Sequence, residues 1–236
     1  MNKLKKILNK IPKNHTTVIH SNLLCLGKKT LSHNKDNILN IIQNYFKKKI
    51  FLPSFNLTKK KIVNFDNYET TNKGLTSLAI EKKDFKRILN PTHSYITNYN
   101  KIDLEKFKQN SFGKNSIFDF FLKKNFLWVS LGCSANDGFT ILHHFEKKFN
   151  VCYRKIINRE KIIISNKKRN NLKISYFARK SRIKNDFNNL VQILIKNKII
   201  KQFKVNNYLI SYFKCDRNLE KKIKLLYKKN KKIFLI

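Results

Sequence analysis

Few residues in this chain break secondary structure: five Gly and three Pro occur in 236 residues, so each one is a strong mark of a turn. Acidic residues are also scarce, 14 against 52 Lys and Arg, giving a formal charge of +38. Such a field gathers phosphates and nucleic acid whatever the protein's task, so charge alone does not name a partner. Lys, Asn, Ile and Phe are enriched together at the expense of Arg, a bias that AT-rich coding produces without selection on the protein. The four cysteines, Cys25, Cys133, Cys152 and Cys215, are scattered with no C-x-x-C pair. That spacing indicates neither a zinc ribbon nor a disulfide framework nor another metal site, and reads as reduced thiols in a cytoplasmic protein. No apolar run approaches bilayer length, and "MNKLKKILNKIPK" lacks the apolar core of a secretory signal. Residues 1–13 read as a basic tail or a short amphipathic helix built on Leu4, Ile7, Leu8 and Ile11, with a membrane-surface anchor as the alternative. There is no internal repeat and no RNP-like, KH-like or helix-turn-helix signature.

What is present is enough apolar material to fold: 41% hydrophobic and 12% aromatic residues. The length suits a single domain over 1–236. "TTVIHS" and "KKIFLPSF" read as buried strands. Between them "DNILNIIQNYFKK" places Ile38, Ile41, Ile42, Tyr45 and Phe46 at helical spacing with Asp36 as cap. "THSYIT" is a third strand, "SIFDFFLKK" a helix opened by Ser116, and "FLWVSLG" a buried strand ending at Gly132. Strands "NVCYRKII", "KIIIS" and "NLKISYFAR" follow, then helix "DFNNLVQILIKNKI", strand "NYLISYFK" and helix "RNLEKKIKLLYKKN". The lysine-rich turns over 158–171 read as a flexible insertion. The alternation gives an α/β fold, a mixed central sheet flanked by helices.

One stretch gathers unusual chemistry. In "SANDGFTILHHFEKKF", Ser134 to Phe149, helical spacing puts Ile141, Leu142, Phe145 and Phe149 on one side and Thr140, His143, His144 and Glu146 on the other. Thr140, His143 and Glu146 are three residues apart in turn and therefore adjacent on the helix surface. The helix follows a strand's carboxyl end, where open α/β sheets bind ligands. Two readings stand: a solvated face that carries two histidines by chance, or a site.

Five blocks in order weigh on that choice: "TVIHSNLLCLG" (17–27), "FLPSFN" (51–56), "RILNPTHSYI" (87–96), "FGKNSIFDFFLKKNFLWVSLGC" (112–133) and "FTILHHFEKKFNVCYR" (139–154). Together they resemble the aminoglycoside 3-N-acetyltransferase family over about nine tenths of the chain. The resemblance implies a fold distinct from Gcn5-like acetyltransferases and transfer of acetyl from acetyl-CoA to an amino-sugar amine. A nucleotide-linked or surface-polysaccharide precursor is the expected acceptor. The family's Thr-x-x-His-x-x-Glu falls on Thr140, His143 and Glu146. His143 is then the general base, Thr140 a hydrogen-bond donor to the thioester or oxyanion, and Glu146 the group that orients the imidazole, with Glu69 and Asp137 as rivals. His20, Ser21 and Asn22 match the family's His-Ser-Ser turn, and Thr92, His93 and Ser94 its Pro-Thr-His-Ser, both implied to contact CoA. The alternative for His20 is a satisfied core histidine. Lys28 and Lys29 read as a solvated pair, with a CoA phosphate as the other reading. Asn22 stands where the family has a second Ser and Asn90 where it has His, which implies altered contacts there. The competing functions are a basic RNA-binding or ribosome-associated protein, and a family member that has lost activity and acts as a binding module. No specific nucleic-acid partner is expected under the enzyme reading.

Overall fold

A computed structural model describes residues 2–47, 49–56, 60–67, 70–72, 74–180 and 183–235. Helix α1 (Asn2–Leu8) buries Leu4, Ile7 and Leu8, and Ile11 follows them into the core, so the amphipathic N-terminal segment packs against the body of the protein. Strand β1 (Thr17–Ser21) leads through a 3-10 turn (Leu23–Leu26) into α2 (Lys28–Tyr45). That helix starts eight residues before the expected cap at Asp36. It is entered from Gly27, and the polar first half hides the periodicity that Ile38, Ile42 and Phe46 display. Then come β2 (Ile50–Pro53), β3 (Ile62–Asn64), α3 (Leu75–Ile80), β4 (Lys86–Arg87) and β5 (Tyr95–Thr97). Helix α4 (Ile117–Lys123) opens where Ser116 accepts from Asp119 N–H, the capping that its sequence announces. Beyond it lie β6 (Phe126–Leu131), α5 (Ala135–Gly138), α6 (Ile141–Lys148), β7 (Arg154–Ser165), β8 (Lys168–Arg179), α7 (Asn188–Lys196), β9 (Lys201–Val205), β10 (Tyr208–Cys215) and α8 (Arg217–Lys229).

Seven strands form the main sheet in the order β4-β5-β2-β1-β6-β10-β9, with β1 parallel to β2 and β6 and the other pairs antiparallel. Because side chains alternate across a strand, β6 sends Phe126 and Trp128 to one core and Leu127, Val129 and Leu131 to the other. The first core holds α4, α6 and α7, rich in Phe; the second holds α1, α2 and α3. Each fully buried side chain of this size contributes about 1.5–3 kcal/mol. On β1 the alternation places His20 on the same face as Val18, toward the Phe-rich core. Gly138 lies where a Cβ would come 2.2 Å from Ser130 Oγ, and its carbonyl accepts from Trp128 Nε1 at 2.7 Å. This contact pins the start of α6 against β6.

The stretch 158–171, expected as a flexible insertion, forms the distal half of a regular ribbon. β7 pairs with β8 antiparallel from Arg154–Arg179 to Ser165–Lys168. Asn166 and Lys167 close it with φ of 51° and 60°, the left-handed pair that a two-residue hairpin demands. Asp66 receives both of their N–H groups, at 2.7 and 3.0 Å. The two expected strands "NVCYRKII" and "KIIIS" are therefore one. β3, β4 and β9, too short or too polar to show a period, carried no sequence signal. Among the described residues no helix is long and apolar enough to cross a membrane.

Candidate active site

Helix α6 begins at Thr140, which is buried and whose carbonyl accepts from His143 N–H at 3.1 Å. Ile141, Leu142 and Phe145 enter the core as expected. The opposite side is not a solvated face. Glu146 and His144 are fully buried, and the His143 side chain is 23% exposed. The cover comes from the base of the ribbon and the segment before α7, contacts between residues far apart in sequence that helical periodicity does not report.

Under that cover a polar cluster closes around Glu146. His143 Nδ1 lies 2.6 Å from Glu146 Oε2, and Tyr153 donates its hydroxyl to Oε1 at 2.8 Å. Arg154 Nη2 is 3.0 Å from Oε2, and Asn185 Nδ2 donates to Oε1. Arg154 also donates to Asn185 Oδ1 at 2.7 Å and to Phe177 O at 3.0 Å. Burial pushes the Glu146 carboxyl up, but the bond from His143, the Arg154 charge and the Tyr153 hydroxyl outweigh it and hold the group below its ordinary value. Glu146 is therefore an anion at neutral pH. Burial pulls His143 down, Glu146 lifts it, and Arg154 and Arg179 lower it again, leaving it below its ordinary value. Arg154 Nη2 is also 3.0 Å from His143 Nδ1, but guanidinium has only protons to give and the carboxylate only lone pairs. The shorter carboxylate contact assigns the proton to Nδ1, so the neutral ring keeps its lone pair on Nε2. Phe112 and Phe187 flank the ring at 5.8 and 4.9 Å between centroids.

Of the carboxylates considered for orienting His143, Glu146 makes the contact. Asp137 is engaged by the Ser134 hydroxyl at 2.6 Å, and Glu69 lies outside the described residues, as do the side chains of Lys28 and Lys29. His144, one residue along, accepts from Gly113 N–H at 3.2 Å and is turned into the core.

His20, Ser21 and Asn22 form a second cluster. With Pro53, Cys133 and Asp137 they line a cavity of about 250 Å³ beyond the carboxyl ends of β1, β2 and β6. His20 itself is a satisfied core histidine: Nδ1 meets Asp137 O at 3.0 Å, Nε2 meets Tyr95 Oη at 3.2 Å, and the ring stacks on Trp128 at 4.9 Å. Asn22 Oδ1 accepts from Leu24 N–H at 3.1 Å and caps the 3-10 turn.

The Thr92–Ser94 turn divides. Asn90 organises it, accepting from Thr92 and His93 N–H at 3.0 and 2.8 Å and donating to Lys108 O at 3.0 Å. The departure at Asn90 is thus a buried structural device within the loop. Ser94 is fully buried with its hydroxyl on Ile88 O at 2.6 Å, and Thr92 is buried as well. His93 alone faces the α6 cluster. It packs 4.4 Å from Phe112, the ring that also flanks His143, and its Nδ1 is buried without a partner.

Tyr153, Arg154, Asn185, Phe112 and Phe187 were not singled out by the sequence reading. One signal was available for Arg154: the chain has seven Arg among its 52 cationic residues. A buried fork to a carboxylate and an amide is a place where Lys cannot substitute.

The sequence model of the family described as Aminoglycoside 3-N-acetyltransferase matches residues 54–226. Comparison with curated protein sequences finds no match. Among solved structures the chain is similar to AAC-IIIb in its binary complex with CoASH, at 12% identity over 96% of this chain and 95% of that one, TM-score 0.75. It is similar to the YokD protein from Bacillus subtilis, at 18% identity over 97% and 94%, TM-score 0.72. It is similar also to AAC-VIa bound to sisomicin, at 11% identity over 96% and 98%, TM-score 0.73. At these identities the likeness is one of fold.

Proposed function

The chain belongs to the aminoglycoside 3-N-acetyltransferase family and is an N-acetyltransferase with acetyl-CoA as acetyl donor; from that premise we propose that His143 is its general base, Glu146 the group that orients it, and the amine of an anionic amino sugar its acceptor. The observation that carries the reading is the 2.6 Å contact between His143 Nδ1 and the buried Glu146 carboxylate, which leaves Nε2 as the basic nitrogen.

The reaction follows from that tautomer. The acceptor amine attacks the thioester carbonyl as Nε2 removes its proton; a C–N bond forms, the C–S bond breaks, and the CoA thiolate leaves. Glu146 stabilises the imidazolium that forms, and the buried Thr140 hydroxyl, one turn before His143, donates to the developing oxyanion. Arg154 and Tyr153 hold Glu146 in place. The hydroxyl and amide lining of the cavity at Ser21 and Asn22 suits the amides and phosphates of CoA, and His20 supports that turn from within the core.

The acceptor follows from charge. AAC-VIa binds sisomicin, a polycation. Here the one carboxylate of the cluster, Glu146, is already matched by Arg154, and the ribbon from Arg154 to Arg179 carries nine Lys and Arg against a single acid, Glu160. That field opposes a polycation and attracts a nucleotide-linked amino sugar or a charged surface-polysaccharide precursor, a cytoplasmic substrate class. Acetyl transfer should be measured with a nucleotide-linked amino sugar and with gentamicin, each at low and high salt. The expected result is acetylation of the sugar nucleotide, slowed by salt, with poor transfer to the drug. Efficient transfer to gentamicin with none to sugar nucleotides would overturn the acceptor assignment.

A further inference from the structure

Asn185 stands between β8 and α7, where it forms an isolated antiparallel bridge with Leu235. Its carboxamide is fully engaged. Oδ1 accepts from Arg154 Nη2 at 2.7 Å, while Nδ2 donates to Glu146 Oε1 and, at 3.2 Å, to Phe234 O. Only one amide orientation satisfies these neighbours, because Arg154 can only donate and the carboxylate and carbonyl can only accept. The C-terminal segment that supplies the carbonyl is itself anchored. Phe234 is fully buried against Phe187 and Tyr227, and its carbonyl also accepts from Asp186 N–H at 3.2 Å. Phe187 is in turn a wall of the His143 ring, 4.9 Å away.

We infer that Asn185 is a positioning residue: it fastens Glu146 and Arg154 to the C-terminal strap Ile233–Leu235, and through Glu146 it fixes the Nδ1–H tautomer of His143. The inference rests on His143 being the base. The charged and titratable groups that bear on His143 are Glu146 from its own helix, Arg154 from β7, Arg179 from β8 and His93 from the turn before β5. Asn185 is uncharged and nearly the shape of Asp, so its donors can be removed with or without adding a charge.

That choice gives a test that a merely structural role would not pass. Asn185→Ala frees Glu146 to turn from the imidazole, which loses the support that lifts its basicity. Turnover should fall about tenfold, the factor carried by one hydrogen bond to a charged group. KM for acetyl-CoA should hold, and the ascending limb of the pH–rate profile should move to lower pH. Asn185→Asp removes the same donors but sets a negative charge beside Glu146, so its limb should move to higher pH. Shifts in opposite directions support the inference. Limbs unchanged in both variants, or moved the same way, overturn it, whatever happens to the melting temperature. His143→Ala is measured alongside. If it is inactive while the Asn185 limbs stay fixed, the positioning role fails and the base survives. If it keeps wild-type turnover, the base assignment fails and the positioning role falls with it.

Discussion

His143 and His20 are both packed among aromatic rings on the same face of the main sheet, and both lie within blocks that resemble family motifs, yet their surroundings give them different chemistry. His20 meets a backbone carbonyl and a tyrosine hydroxyl, neutral groups that use both ring nitrogens. His143 meets an anion on one nitrogen and keeps the other. Burial pulls His20 down to about 4 with nothing but a carbonyl to resist it; for His143 the same penalty is opposed by Glu146. The two rings thus differ in whether a buried counter-charge holds one nitrogen, and under the proposed function that difference separates a base from a polar strut.

The largest test of that contrast exchanges each ring for a methyl group. His143→Ala should lower turnover per folded molecule by roughly the 10²- to 10⁴-fold of a lost general base while acetyl-CoA affinity stays near wild type. His20→Ala should lower the melting temperature, since it opens a cavity beside Trp128 and strands Tyr95 Oη and Asp137 O, and should leave the ascending pH limb where it is. A shared phenotype for the two variants would erase the distinction. His144→Ala belongs with His20: stability loss, little change in turnover per folded molecule.

A smaller effect sharpens the contrast within α6. Thr140→Val keeps shape and removes only the hydroxyl. Turnover should fall by about 10- to 100-fold, below the loss at His143, at unchanged KM for acetyl-CoA, because an oxyanion donor acts in the transition state. Steady-state kinetics decide it, and a change in KM alone would remove Thr140 from the chemistry.

The smallest effect is in stability against pH. His20 and His144 are held near 4 and His93 near 3, all by burial first. Unfolded, each titrates near 6.5, so between about 6.5 and 4 the unfolded chain binds protons that the folded chain does not. Stability should fall as pH drops through that window and be complete above it. Denaturant midpoints at several pH values measure the slope, and His20→Gln should reduce it by at most one proton, about 1.4 kcal/mol per pH unit. An unchanged slope would mean that His20 is not a buried neutral ring.

Local patterning sufficed where local forces govern. The apolar runs in "FLWVSLG" and "NYLISYFK", the cap at Ser116 and the period of "RNLEKKIKLLYKK" pointed to β6, β10, α4 and α8, because a short buried run and satisfaction of a helix end are decided by residues a few positions apart. The spacing of Thr140, His143 and Glu146 likewise put three groups on one stripe. Tertiary structure alone decided that this stripe is buried and that Arg154 and Asn185 complete it. It also turned Ser94 and His144 inward and left Asn90 as a loop anchor. Those outcomes depend on contacts between Glu146 and Asn185, or Asn90 and Lys108, whose partners are brought together by the sheet and the ribbon. A helix period says which residues share a side; only the fold says what covers that side, and the low dielectric under that cover is what strengthens the contact between His143 and Glu146.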